Sequence, residues 1–114
     1  MMIVGFMGAF IILKSIAGTY SYCLLHVNGD KILSKEGFVD KHLCRRAISE
    51  VRKAAMVDRC FEKSVTIDKR FCFVLLSLRG ERLGESEEFF RATERDEVIW
   101  EVKLNAMQSE IIEI

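Results

Sequence analysis

Short apolar runs of strand character alternate with turn residues through most of this chain, and twice the spacing lengthens to that of an amphipathic helix. Phe10-Ile11-Ile12-Leu13-Lys14-Ser15 predicts a first strand, closed by a turn at Ala17-Gly18. Residues 20–27, rich in aromatic and branched side chains, predict a second. Asn28-Gly29 is a strong two-residue hairpin signal because both positions accept φ > 0, so residues 30–38 should return as a third strand. Asp40 is an N-cap candidate for a helix over 40–54. Its apolar residues Leu43, Cys44, Ala47, Ile48, Val51, Ala54 and Ala55 form one stripe, with Lys41, Arg45, Arg46, Ser49, Arg52 and Lys53 around the rest.

The second half repeats this plan at a constant offset of 51 residues, without a gap. Phe10 falls on Phe61, Leu24 and Leu25 on Leu75 and Leu76, Gly29 on Gly80, Ile48 on Ile99 and Val51 on Val102. Strands are predicted over 60–66, 70–78 and 81–89, with turns at 67–70 and at Arg79-Gly80. Thr93, with Asp96 three residues on, reads as the cap of a second helix whose buried stripe is Val98, Ile99, Val102 and Ala106. Residues 109–114 read as a short final strand. A fixed period of this kind predicts a duplicated unit. Three strands and one helix are small for independent stability. The expectation is therefore a single α+β domain over 1–114. Two β-β-β-α units, 10–55 and 61–106, would form one antiparallel sheet with both helices on one face, and 109–114 would add the last strand.

Composition narrows the picture. At 114 residues, half of them apolar, the chain has material for one modest core. Lys and Arg balance Asp and Glu, which argues against a general polyanion binder. The four cysteines, Cys23, Cys44, Cys60 and Cys72, have neither the spacing of a zinc site nor the density of a disulfide scaffold. They read as reduced thiols acting as small hydrophobes, and the expected compartment is the cytoplasm. Residues 1–13 are apolar, but too short to span a membrane and without the leading positive charge of a signal peptide. Attachment to a membrane through this segment is an alternative expectation.

The combined pattern resembles the YegP-like family of bacterial proteins. Each unit has an aromatic followed ten residues on by an aromatic-x-aromatic pair: Phe10 with Tyr20-Ser21-Tyr22, and Phe61 with Phe71-Cys72-Phe73. Asn28-Gly29, the run Ile32-Leu33-Ser34-Lys35-Glu36-Gly37-Phe38 and the helical Ile48-Ser49-Glu50-Val51-Arg52 match the family's turn, strand and helix motifs. The resemblance implies one sheet from two β-β-β-α units with an exchanged C-terminal strand. It implies no established activity.

Candidate chemistry is sparse. His26 and His42 have no obvious partners in the sequence, and Glu85, Glu87 and Glu88 read as a charged strand edge. No phosphate-binding loop or nucleophile elbow is present. The chain is expected not to be an enzyme and to need neither cofactor nor metal. Two surfaces stand out. Trp100 and Leu104 lie on the second helix opposite its buried stripe, where the first helix has Ser49 and Lys53. On the second strand of each unit, Leu25 and Val27, and Leu76 and Leu78, are apolar on the face away from the aromatics. Together these six residues predict an interaction surface for a second copy or a protein partner. A row of Tyr20, Tyr22, Phe71 and Phe73, with Lys31, Arg70 and Arg82 nearby, supports the alternative of base stacking on a nucleic acid. Burial of those rings beneath the helices is the expectation it competes with.

Overall fold

The computed structural model describes residues 8–114. Turn chemistry sets the hairpin at Asn28-Gly29 and the one at Arg79-Gly80. In the first, the His26 N–H donates to the Asp30 carbonyl and the Gly29 N–H to the His26 carbonyl, both at 2.8 Å. Ser77, Gly80 and Glu81 close the second in the same way, and both glycines hold a positive φ near 90°.

The strands are β1 (Ala9–Lys14), β2 (Tyr20–Leu25), β3 (Lys31–Phe38), β4 (Phe61–Val65), β5 (Phe71–Leu76), β6 (Arg82–Glu85) and β7 (Glu110–Glu113). Helix α1 (Lys41–Ala54) follows β3, and helix α2 (Ala92–Ala106) follows β6. A 3-10 turn over Asp58–Cys60 leads into β4. One seven-stranded sheet runs in the order β4-β5-β6-β3-β2-β1-β7.

That sheet is mixed, which corrects the expectation of a purely antiparallel one. β7 lies parallel to β1, with Glu110 opposite Ala9 and Ile112 opposite Ile11. The reason is connectivity: α2 returns the chain across the sheet, so the strand after it enters beside the start of β1. Two further boundaries move. The third strand of the second half stops at Glu85, and Phe89 rejoins the sheet only as a single bridge to Phe71. Helix α2 is capped at Arg91 rather than at Thr93: the Glu94 carboxylate accepts from the Arg91 N–H at 3.0 Å, which places Thr93 inside the helix. Asp40 does cap α1, accepting from the Leu43 N–H at 2.9 Å.

Cys44, Ile48 and Val51 of α1 and Ile99, Val102 and Ala106 of α2 share one core with Phe10, Tyr22, Leu24, Phe61, Phe73 and Leu75. Phe10 meets Tyr22 edge-on with centroids 6.0 Å apart, and Phe61 meets Phe73 at 5.7 Å. The seam between β3 and β6 is narrow, with Ser34 opposite Glu85 as its register pair. A bulge between Leu75 and Leu76 throws Leu83 out of the ladder. The buried Tyr22 hydroxyl crosses the seam and donates to the freed Leu83 carbonyl at 2.6 Å. Gly84 permits this approach, because a Cβ there would stand 2.5 Å from the Tyr22 hydroxyl and 2.9 Å from Leu33 Cγ. Arg52 of α1 forms a second link. Its guanidinium lies over the Phe10 ring and donates to the carbonyls of Ala106, Met107 and Ser109 at 2.7, 3.1 and 2.9 Å. It thereby satisfies carbonyls that the end of α2 leaves open.

Candidate functional site

The sheet face away from the helices is less apolar than strand composition alone indicates. Register places Ile112, Ile11, Cys23, Ser34, Glu85, Val74 and Glu62 in one row across it. Ser34 and Glu85 therefore interrupt the apolar band at the seam. Leu25 is half-buried and Val27 exposed at the β1–β2–β7 end, where they line a cavity of about 400 Å³ with Gly8, Ala9 and Ile112. Leu76 ends β5 and Leu78 follows it in the turn; β6 and β3 lie between β5 and β2, a separation of about 14 Å across the ladder. The structure does not bring these four residues together, nor does it join them to Trp100 and Leu104 on the other side of the sheet.

Trp100 and Leu104 themselves are 60% and 48% exposed. On α2, Ile99, Val102 and Ala106 face the core, and Thr93, Glu97, Trp100 and Leu104 follow one another up the opposite side at helical spacing. Met107, also exposed, extends this stripe past the helix end. Acidic groups flank it: Glu94, Asp96, Glu97 and Glu101. Asp96 and Glu97 line a shallow groove with Thr93 and Trp100. Arg95 and Lys63 beside Asp96 hold its carboxyl below the usual range. The arrangement is an indole anchor with an aliphatic neighbour in a ring of carboxylates, which suits binding rather than bond-making.

The aromatic row is core, not a stacking platform. Tyr22 and Phe73 are each 1% exposed, so no base can reach either ring. Tyr20 and Phe71 are half-buried beneath cations, Lys14 and Lys41 over Tyr20 and Arg95 over Phe71. The cations named with them are also engaged: Lys31 with Glu87, Arg82 with Glu85, and Arg70 over Phe90. Ala9–Lys14 forms β1 inside the sheet, residues 1–7 lie outside the described residues, and no described helix is long and apolar enough to cross a membrane.

One pairing has no signal in the sequence. His26 Nε2 stands 3.7 Å from a Glu101 carboxylate oxygen, and its Nδ1 faces the Asn28 N–H at 3.4 Å. The two residues are 75 positions apart and meet because α2 passes over the β2–β3 turn. Asn105, buried one turn further on, donates to the Glu101 carbonyl at 2.7 Å and fixes that turn of the helix. His42 is exposed on α1. Cys44 and Cys60 are buried, Cys23 and Cys72 half-buried, and all four are free thiols. No group of three or more His, Cys, Asp or Glu side chains among the described residues could hold a metal ion.

A single mixed sheet of seven strands, packed on one side against two helices and presenting one exposed tryptophan stripe, defines a class of small α+β protein. The comparisons with known proteins place the chain within it. It is 30% identical over 107 residues to the "UPF0339 protein in ptx operon 5'region" of Stutzerimonas stutzeri, covering 94% of this chain and 96% of that one. It is 28% identical over 98 residues to the UPF0339 protein YegP of Escherichia coli K12, covering 86% and 89%. The solution NMR structure of E. coli YegP, a protein of unknown function, superposes with a TM-score of 0.90 at 25% identity over 96% of this chain and 95% of that chain. A UPF0339 protein from Shewanella oneidensis gives a TM-score of 0.89 at 22% identity, which bears on the fold alone, over 95% and 92%. The chain belongs to the UPF0339 family, with YegP among its members. No family model matches it.

Proposed function

We propose that this chain is a non-enzymatic, cytoplasmic interaction module whose docking surface is the outward stripe of α2. The observation that carries the reading is Trp100. An indole is left 60% exposed, one turn from a half-exposed leucine, on a helix whose other side already fills the core. Large exposed aromatics with apolar neighbours are the usual energetic centres of protein interfaces. Four free thiols support a reducing compartment. The carboxylates around the stripe are solvated or paired with cations, an arrangement suited to specificity at a polar rim.

The same reading takes the domain as two fused copies of one unit. The offset of 51 residues recurs in detail as well as in plan. Arg52 lies over Phe10 as Lys103 lies over Phe61, and the bulge at Leu24/Leu25 matches that at Leu75/Leu76. The hydrogen bonds of the turn at Ser15, Gly18 and Thr19 recur at Thr66, Lys69 and Arg70.

A photo-crosslinking residue at position 104 tests the docking surface, with the same residue at the exposed position 59 as control. Adducts formed at 104 and lost on Trp100→Lys support it. Equal labelling at both positions, or none at 104, overturns it.

A further inference from the structure

The two halves of the chain carry opposite charge. Residues 1–55 hold 8 Lys and Arg against 4 Asp and Glu, and residues 56–114 hold 9 against 13, leaving +4 and −4. The asymmetry is concentrated on the two helices. With Cys44, Ile48 and Val51 of α1 facing the core, its outward side presents His42, Arg46, Ser49 and Lys53. The outward side of α2 presents Thr93, Glu97, Trp100 and Leu104 with Glu94 and Glu101 beside them. Arg46 and Glu97 are both exposed, and neither side chain makes a hydrogen bond or ion pair with any described residue.

We propose that the occupant of the α2 stripe is α1 of a second copy of this chain, in a two-fold dimer that lays α1 of each copy on α2 of the other. The proposal rests on the docking surface argued above and adds its partner. Charge complementarity selects the pairing. A two-fold axis running along and between the helices sets the basic side of each copy on the acidic side of the other, so every favourable contact is made twice. An arrangement of α1 on α1 or α2 on α2 would juxtapose like charges. Arg46 then meets Glu97 across the interface, and Trp100 lies against the aliphatic stems and charged heads of Arg46 and Lys53. The net charge of the whole chain is zero, so long-range repulsion between copies is absent. Helices of 14 and 15 residues are about 21 Å long and offer a small interface, so the dimer belongs to the weak, reversible class.

Sedimentation velocity over a wide concentration range, at low and high salt, tests this on the full chain, with Trp100 emission as a second readout. Wild type should dimerise at low salt, and the dimer should weaken about fivefold or more as salt rises through the screening range. Arg46→Glu alone and Glu97→Arg alone should each weaken it about tenfold or more, and the double reversal should recover most of the loss. A chain that stays monomeric at millimolar concentration and low salt overturns the proposal. So does a dimer indifferent to either single reversal, or one that the double reversal fails to restore. The docking reading stands separately. A monomer that still crosslinks to another protein at position 104 keeps the stripe and loses the second copy. A dimer abolished by Trp100→Lys but not by Arg46→Glu keeps self-association and loses α1 as its partner.

Discussion

Tyr22→Phe removes one oxygen atom from the core and tests how the two halves are held together. The ring is 1% exposed, and its hydroxyl donates at 2.6 Å to the carbonyl of Leu83, 61 residues away. That carbonyl belongs to the residue which the bulge has thrown out of the register pairing. Phenylalanine fills the same space apart from the hydroxyl, which limits any packing loss. What remains is the net value of one hydrogen bond plus the cost of a buried acceptor left unpaired, about 2 kcal/mol together. For 114 residues the unfolding entropy at the midpoint is about 0.24 kcal/mol/K, so the melting temperature should fall by about 8 °C. Urea titration followed by far-UV circular dichroism and by Trp100 emission should give that loss with an unchanged m-value. Tyr20→Phe is the control, because its ring is only half-buried and its hydroxyl bonds to no described residue; it should stay within about 0.5 kcal/mol. A Tyr22→Phe protein equally close to wild type would show that the hydroxyl does not hold the seam.

Gly84→Ala should destabilise the same seam by about 2 kcal/mol or more in urea titration, because its Cβ must displace the Tyr22 hydroxyl and Leu33 together. Arg52→Ala should cost about 2 kcal/mol by the same assay, and Arg52→Lys should recover less than half of it, since an ammonium cannot fork between the carbonyls at the end of α2. Burial pushes the Cys44 thiol up to about 11 and the Tyr22 phenol higher still. Their contribution is therefore whole below the unfolded values near 9 and 10, and is lost as pH rises above them, because the unfolded chain releases those protons first. Stability measured from pH 8 to 11 should decline, and Tyr22→Phe should reduce the slope above pH 10. Arg45 and Lys41 hold the Glu113 carboxyl below its usual value, so this contribution is present above pH 4.5 and lost as pH falls through the lowered value. Hydrogen exchange should show β7 opening first in acid, and Glu113→Gln should produce the same opening at neutral pH.

The elements that the chain makes locally are legible in its residues. Asn28-Gly29 and Arg79-Gly80 mark two of the hairpins because tight turns depend on two adjacent positions, and Asp40 marks the start of α1 because an N-cap needs one side chain. The strand order is not legible, since β3 meets β6 through a single register pair and β7 meets β1 across a hundred residues of intervening chain. The start of α2 is not legible, because Glu94 reaches back to the Arg91 N–H and leaves Thr93 inside the helix. On the site, Trp100 and Leu104 were legible from their angle to the buried stripe. The pairing of His26 with Glu101 depends on where α2 crosses the β2–β3 turn, and residue types alone do not encode that crossing.

Positions related by the offset of 51 divide into two sets, and the division bears on function. Some that build the core change, such as Ile12 against Lys63 and Cys44 against Arg95, but several keep their residue: Phe10 and Phe61, Leu24 and Leu75, Ile48 and Ile99, Val51 and Val102, Ala55 and Ala106. Each is fixed by the packing around it, where even one methylene is felt. The outward helix positions change at every step: His42 against Thr93, Arg46 against Glu97, Ser49 against Trp100, Lys53 against Leu104. Packing does not constrain these positions, and solvation alone would be met by polar residues on both helices. Solubility gives no reason to put an indole and a leucine on one helix, or to reverse a charge between equivalent sites. A surface that must receive its own counterpart gives such a reason, because two identical helix faces would repel each other and two different ones can fit. On this argument the asymmetry between the helices carries the binding information, and the core residues the halves share carry the fold.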